Sequence, residues 1–219
     1  MFGISMTTIT CYLDFISPYA YLAFETLPKT LQGCSYEVRY KPILFGALLQ
    51  HHGQLGPAEF PPKRDWTYRQ VMWLAHQLDV PLDMPAAHPF NPIALLRLAL
   101  GAASVDDLPS RRVCEQIFHH VWRGGADAAD PARLAALQDQ LPLTRDPQSP
   151  AVKDQLKSLT QEAIDAGVFG VPTFEVDGKL FWGLDALPML RGYLQGDAWF
   201  DGPAWGAVSR VHVGIERKR

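Results

Sequence analysis

Val168-Phe-Gly-Val-Pro172-Thr-Phe-Glu-Val176-Asp177-Gly178-Lys179-Leu-Phe-Trp182 reads as two strands joined by a tight turn. Asp177-Gly178 suits the positive-φ positions of a two-residue hairpin, and β-branched and aromatic residues flank it on both sides. The expected strands cover 168–176 and 179–182. Upstream, Val152 to Ala166 has apolar residues at helical spacing and stops at Gly167. Downstream, Gly183-Leu184-Asp185 opens a last helix through Tyr193. This part of the chain is therefore α-β-β-α. From Gly196 to the closing Glu216-Arg-Lys-Arg219 no pattern stands out.

The first part supplies the complement. Thr8 to Phe15 is rich in β-branched and aromatic residues and reads as a strand. Ser17-Pro18 follows, a good N-cap with proline at the first helical position. Tyr19 to Leu31 has helical spacing and Gly33 ends it; Tyr36 to Tyr40 alternates as a second, parallel strand closed by Lys41-Pro42. Between Ala47 and Leu141 no strand pattern occurs. Helices are expected at Trp66–Leu78, Pro92–Leu100 and Arg111–Trp122, with another starting at Asp130-Pro131. Proline-rich connectors separate the first of these. Without the helical insert, β-α-β followed by α-β-β-α is the thioredoxin order. The expectation is an α/β, thioredoxin-like fold with a large all-helical insertion: a frame from 1–46 and 150–219, and an insert at 47–149. Trp66, Trp73, Trp122 and the cysteines are expected in the core.

Composition narrows the function. The 219 residues carry 20 Lys plus Arg against 23 Asp plus Glu, a net charge of −3. That balance speaks against nucleic-acid or anionic-membrane partners. Cys11, Cys34 and Cys114 are far apart, with no CxxC and no paired Cys/His spacing, which argues against a disulfide scaffold or a structural zinc site. His51-His52, His76 and His119-His120 lack metal-ligand spacing, so no metal is expected. Met1 to Thr8 lacks the features of a signal peptide. The apolar run Ile93 to Ala103 is interrupted by Arg97 and too short to span a bilayer. The expectation is a soluble cytoplasmic protein with free thiols.

In a thioredoxin-like fold the N-terminus of the first helix meets a cis-proline before the third strand. Here those places hold Ser17-Pro18-Tyr19-Ala20 and Val171-Pro172-Thr173. A CxxC oxidoreductase would have its nucleophilic thiol at position 17. Serine there excludes thiol–disulfide exchange by the usual route. A serine at a helix N-terminus can be a plain cap. It can also stabilise a thiolate it does not own, through the helix N–H groups, the dipole and one charge-assisted hydrogen bond. Glutathione is the obvious thiol, and as a peptide it can pair with the backbone beside the cis-proline.

Asp14-Phe-Ile-Ser-Pro-Tyr-Ala-Tyr-Leu22, Lys41-Pro42, Lys63-Arg64-Asp65, Asn91, Gly167-Val-Phe-Gly-Val-Pro-Thr-Phe174 and Phe181-Trp-Gly-Leu-Asp185 together resemble the 2-hydroxychromene-2-carboxylate isomerases. These are relatives of kappa-class glutathione transferases and of DsbA-type thioredoxin folds. The resemblance covers about residues 8 to 194. It implies that Ser17 is catalytic and holds the glutathione sulfur, that Val171 and Pro172 bind the cysteinyl backbone, and that Trp182, Gly183, Leu184 and Asp185 bind the γ-glutamyl end. It implies a carboxylate partner in Lys63 and Arg64, on the cofactor or the substrate. The loop from His88 to Asn91 would border a small aromatic carboxylate substrate. A homodimer is also implied. Leu184 and Ala186 depart from the polar and basic residues common there, and Gln54 and Leu49 depart from a usual Asn and Lys. The reading is a glutathione-dependent isomerase, with a conjugating transferase or a non-catalytic thioredoxin-like binding protein as alternatives.

Overall fold

Four strands carry the frame: β1 (Thr7–Leu13), β2 (Tyr36–Pro42), β3 (Thr173–Val176) and β4 (Lys179–Trp182). The computed structural model describes residues 6–104, 107–212 and 214–215. The start of the chain and Glu216 to Arg219 therefore lie outside the described residues. The sheet order is β2-β1-β3-β4. β1 runs parallel to β2 from Thr7↔Tyr36 to Leu13↔Pro42, and antiparallel to β3 with Cys11 opposite Phe174. The β3–β4 hairpin turns at Asp177 and Gly178, both at positive φ. The parallel crossover is α1 (Pro18–Thr30), whose residues Ala20 to Leu22, Phe24 and Leu27 are buried.

Between β2 and β3 come α2 (Phe45–His51), α3 (Pro61–Leu78), α4 (Ile93–Gly101), α5 (Arg111–Trp122), α6 (Pro131–Gln140) and α7 (Pro150–Asp165). Ser110, Asp130 and Ser149 cap α5, α6 and α7 with their side chains, of which the Asp130 start was expected from the sequence. α8 (Leu187–Leu194) follows β4, and α9 (Pro203–Ala207) lies in a tail of short helical turns. No described helix is long and apolar enough to cross a membrane. The mixed α/β frame with its helical insertion is the fold the sequence led us to expect.

Several local expectations need correction. β3 begins at Thr173, not Val168, because Gly170 and the cis Val171-Pro172 bond interrupt the ladder and proline has no N–H to donate. Lys41-Pro42 does not close β2 but continues it along β1, at the sheet edge where proline is tolerated. Residues 184–186 form a 3₁₀ turn, and the α-helix starts only at Leu187. α2 had no forecast. Trp122 is fully buried, but Trp66 and Trp73 are 63% and 59% exposed on α3, which packs through Thr67, Val71 and Ala75 instead. Cys11 and Cys114 are buried while Cys34 is only half-buried; all three are free thiols.

Candidate active site

The loop from Leu13 to Ser17 leaves the C-terminal end of β1 and starts α1. Ser17 is an N-cap with φ −87° and ψ 116°. Its Oγ accepts the Ala20 N–H at 3.2 Å, and its hydroxyl donates to the Val171 carbonyl at 3.3 Å. That bond joins the α1 N-terminus to the cis-proline loop, across 154 positions of sequence. The Gly183 N–H donates to the Pro172 carbonyl at 2.9 Å, which draws the turn after β4 to the same place. Among the described residues no group accepts the Val171 N–H. Ser17, Val171, Pro172 and Gly183 therefore converge, as the thioredoxin order implies.

Gly183 sits at φ 99°, ψ 166°, a region essentially restricted to glycine. The exposed Asp185 folds back over it: a Cβ at 183 would lie 2.4 Å from the Asp185 Oδ1. Gly183→Ala is expected to destabilise the protein by about 1–3 kcal/mol in urea unfolding and to turn the Asp185 carboxylate away. Asp185 also stands near Tyr19, adding to the burial that raises the Tyr19 pKa. Trp182 is 54% exposed and packs on Phe169 with ring centroids 4.8 Å apart. Its indole covers Gly170, where a Cβ would come within 2.4 Å of Nε1. Any side chain at 170 must displace the tryptophan.

α3 reaches the site from the other side. The Tyr19 hydroxyl donates to Gln70 Oε1 at 2.7 Å. Lys63 is exposed in the first turn of α3, and Arg64 pairs with Asp65 at 3.5 Å. Asn91 is exposed, and its side chain accepts the Ile93 N–H at the start of α4. His88 lies deeper. Its Nε2 is 2.8 Å from the Ile16 carbonyl, and the Tyr68 hydroxyl is 2.8 Å from both its Nδ1 and its carbonyl oxygen. Burial lowers its pKa, against the opposing pull of the Ile16 carbonyl. The His88-Pro89 bond is cis, like Val171-Pro172.

Asp14 has no role in the sequence reading, yet it is fully buried one residue past β1. Its Oδ1 accepts the Ile16 N–H at 3.2 Å and its Oδ2 the Phe45 N–H at 2.9 Å. Burial pushes its pKa from 3.8 up to about 7, against the opposing pull of the Phe45, Ile16 and Phe15 N–H groups. A carboxylic acid inside the run Leu13-Asp-Phe-Ile16 was the available signal, since a buried acid needs dedicated donors. The folded pKa lies above the unfolded value, so the folded state holds the proton more tightly. Stability is then lost as pH rises from about 4 to about 7. The parent is expected to lose up to about 1.4 kcal/mol per pH unit against Asp14→Asn over that window, read by urea unfolding of both proteins. A difference independent of pH would refute the shift.

Cys11 lies within β1 with its thiol pushed up to about 12 by burial, so it offers no thiolate beside Ser17. Elsewhere, Glu25, Glu115 and His119 bring their ligand atoms within 4.8 Å of one another, a trio that sequence spacing did not reveal. Glu25 already accepts from His119 at 2.8 Å and faces the Arg123 guanidinium at 3.7 Å. Glu25 and His119 thus already belong to a polar network that ties α1 to α5 and Arg123.

A DSBA-like thioredoxin domain model matches residues 8–195. A 2-hydroxychromene-2-carboxylate isomerase of Sphingobium xenophagum is 30% identical over 194 residues, covering 85% of this chain and 97% of that protein. Human glutathione S-transferase kappa 1 is 25% identical over 221 residues, covering 92% and 96%. A solved 2-hydroxychromene-2-carboxylate isomerase superposes with a TM-score of 0.72 at 24% identity, over 93% of this chain and 96% of that one. The chain belongs to the DsbA-like thioredoxin family, in the group that holds the 2-hydroxychromene-2-carboxylate isomerases and the kappa-class glutathione transferases.

Proposed function

We propose that the protein is a glutathione-dependent cis/trans isomerase acting on 2-hydroxychromene-2-carboxylate or a similar aromatic breakdown intermediate. One observation carries this reading: a hydroxyl, Ser17, stands at the α1 N-terminus against the Val171 carbonyl, where a disulfide oxidoreductase would have a thiol. The donor set fits a thiol peptide. Among the described residues the Val171 N–H has no acceptor, the Ser17 hydroxyl can turn from the Val171 carbonyl to an anion, and α1 begins at the residue after Ser17. When bound, glutathione supplies a thiolate that adds reversibly to the conjugated carbon and leaves unchanged.

Ser17 and the α1 N-terminus would hold the sulfur in its charged form. Val171 and Pro172 would align the cysteinyl backbone, and the segment from Trp182 to Asp185, with Leu184 contributing its backbone, would take the γ-glutamyl end. Lys63 and Arg64, on the proposed insert 47–149, would hold a carboxylate and keep the substrate near the sulfur. Asn91 would border the substrate through the start of α4. A cytoplasmic homodimer is part of this reading and is supported by the resemblance.

The test is substrate turnover at a catalytic amount of glutathione. The isomerase reading expects no product without glutathione and no loss of thiol during many turnovers. Stoichiometric consumption of the thiol would establish the conjugating reading, which the kappa-class likeness favours. Turnover independent of glutathione would overturn both.

A further inference from the structure

The backbone between Asp14 and Ser17 is held by its own Asp14 side chain and by side chains from two distant elements. The Trp122 Nε1–H of α5 donates to the Phe15 carbonyl at 3.0 Å. The Ile16 N–H donates to Asp14 Oδ1, and the Ser17 N–H to the Asp14 carbonyl at 3.1 Å. His88, from the loop before α4, meets the Ile16 carbonyl at 2.8 Å. A carbonyl only accepts, so Nε2 of His88 carries the proton of this bond. Both backbone polar groups of Ile16, the residue before Ser17, thus end on side chains: the N–H on the buried Asp14 two residues earlier and the carbonyl on the half-buried His88, 72 positions away.

We propose that Asp14 and His88 clamp the Ile16 backbone and thereby aim the Ser17 hydroxyl at the bound thiolate, which makes both of them positioning residues of the site. The inference rests on the functional reading above. A hydrogen bond to sulfur is direction-dependent, and a site residue must be held within about 0.5 Å of its productive place by the residues around it. Ser17 is the cap of α1: on the helix side the Tyr21 N–H holds its carbonyl and the Ala20 N–H holds its Oγ. On the strand side the bonds at Ile16 and the Asp14 carbonyl fix it, next to the Trp122 bond at Phe15. The clamp also accounts for the Tyr68 hydroxyl, which holds the back of the His88 ring and keeps Nε2 directed at Ile16. On this view His88 acts through Ile16 and Ser17, not through contact with substrate.

The test titrates the ultraviolet absorbance of the bound glutathione thiolate in the full-length parent, Asp14→Asn, His88→Leu and His88→Gln. Binding of S-methylglutathione, which has no thiol to ionise, is measured in parallel. Asp14→Asn and His88→Leu are expected to raise the thiolate pKa by about one unit, about a tenfold smaller thiolate fraction at neutral pH. S-methylglutathione affinity stays unchanged. His88→Gln, whose amide N–H can reach the same carbonyl, restores the parental pKa. A folded His88→Leu with the parental thiolate pKa overturns the clamp, as does a His88→Gln impaired to the same degree. If Asp14→Asn does not fold, the two His88 variants decide. A parent that binds neither glutathione nor its S-methyl form overturns the functional reading itself. A parent that binds both and fails only the variant comparison overturns the clamp alone.

Discussion

Ser17→Ala is expected to lower turnover by about 10²–10³-fold and to raise the pKa of the bound thiol. The hydroxyl is a side-chain donor that the fold places at the α1 N-terminus against the cis-proline loop. Removing it leaves the helix N–H groups and dipole, so ionisation weakens without vanishing. The loss is not one of folding. Replacing a serine N-cap costs about 1 kcal/mol, and α1 is anchored by eight buried residues. A shift of about 2–4 °C in Tm is all that cost amounts to in a chain of this size. Thiolate absorbance and steady-state turnover measured together are the check. A parental thiolate absorbance in a folded variant would remove Ser17 from the chemistry.

Trp122→Ala is expected to cause the largest loss of stability, about 3–5 kcal/mol and on the order of 10 °C in Tm. The indole is fully buried, lies nearly parallel to Tyr21 at 6.3 Å, and faces the His88 ring at 5.5 Å. Truncation opens a cavity between the helical insert and β1–α1, and it leaves the Phe15 carbonyl without its donor. Trp122→Phe separates the two terms, because it keeps most of the ring and removes the N–H. It should retain most of the stability and still loosen the loop that carries Ser17. Thermal melting of both variants, with thiolate titration of the second, checks the argument. Equal melting temperatures for Trp122→Ala and the parent would refute it.

The element order was legible because its signals are local. The Asp177-Gly178 hairpin, the Ser-Pro and Asp-Pro helix starts and the stop at Gly167 each act within a few residues. β4, α5 and the starts of α1 and α6 were all read to within a residue. The errors lie where tertiary contacts decide. Trp66 and Trp73 sit in an α3 that has good helical spacing, but period alone does not say which face another element covers. The strand character from Val168 yields a ladder only from Thr173, after the cis bond expected at Pro172, because proline has no N–H to donate.

The sequence by itself determined the αβ order, the serine in place of a thiol at position 17, and the valine–proline pair that had to meet it. Only the tertiary structure decided how that serine is held. Asp14 looked like one polar residue in an apolar run, and His88 like a loop histidine. Their partnership through Ile16 depends on contacts spanning 72 positions for His88, and the Trp122 bond to Phe15 spans 107. Buried polar groups must find donors or acceptors wherever the packed chain brings them. No periodicity or capping rule reaches that far, so these contacts become visible only once the helices of the insert have closed over the end of β1.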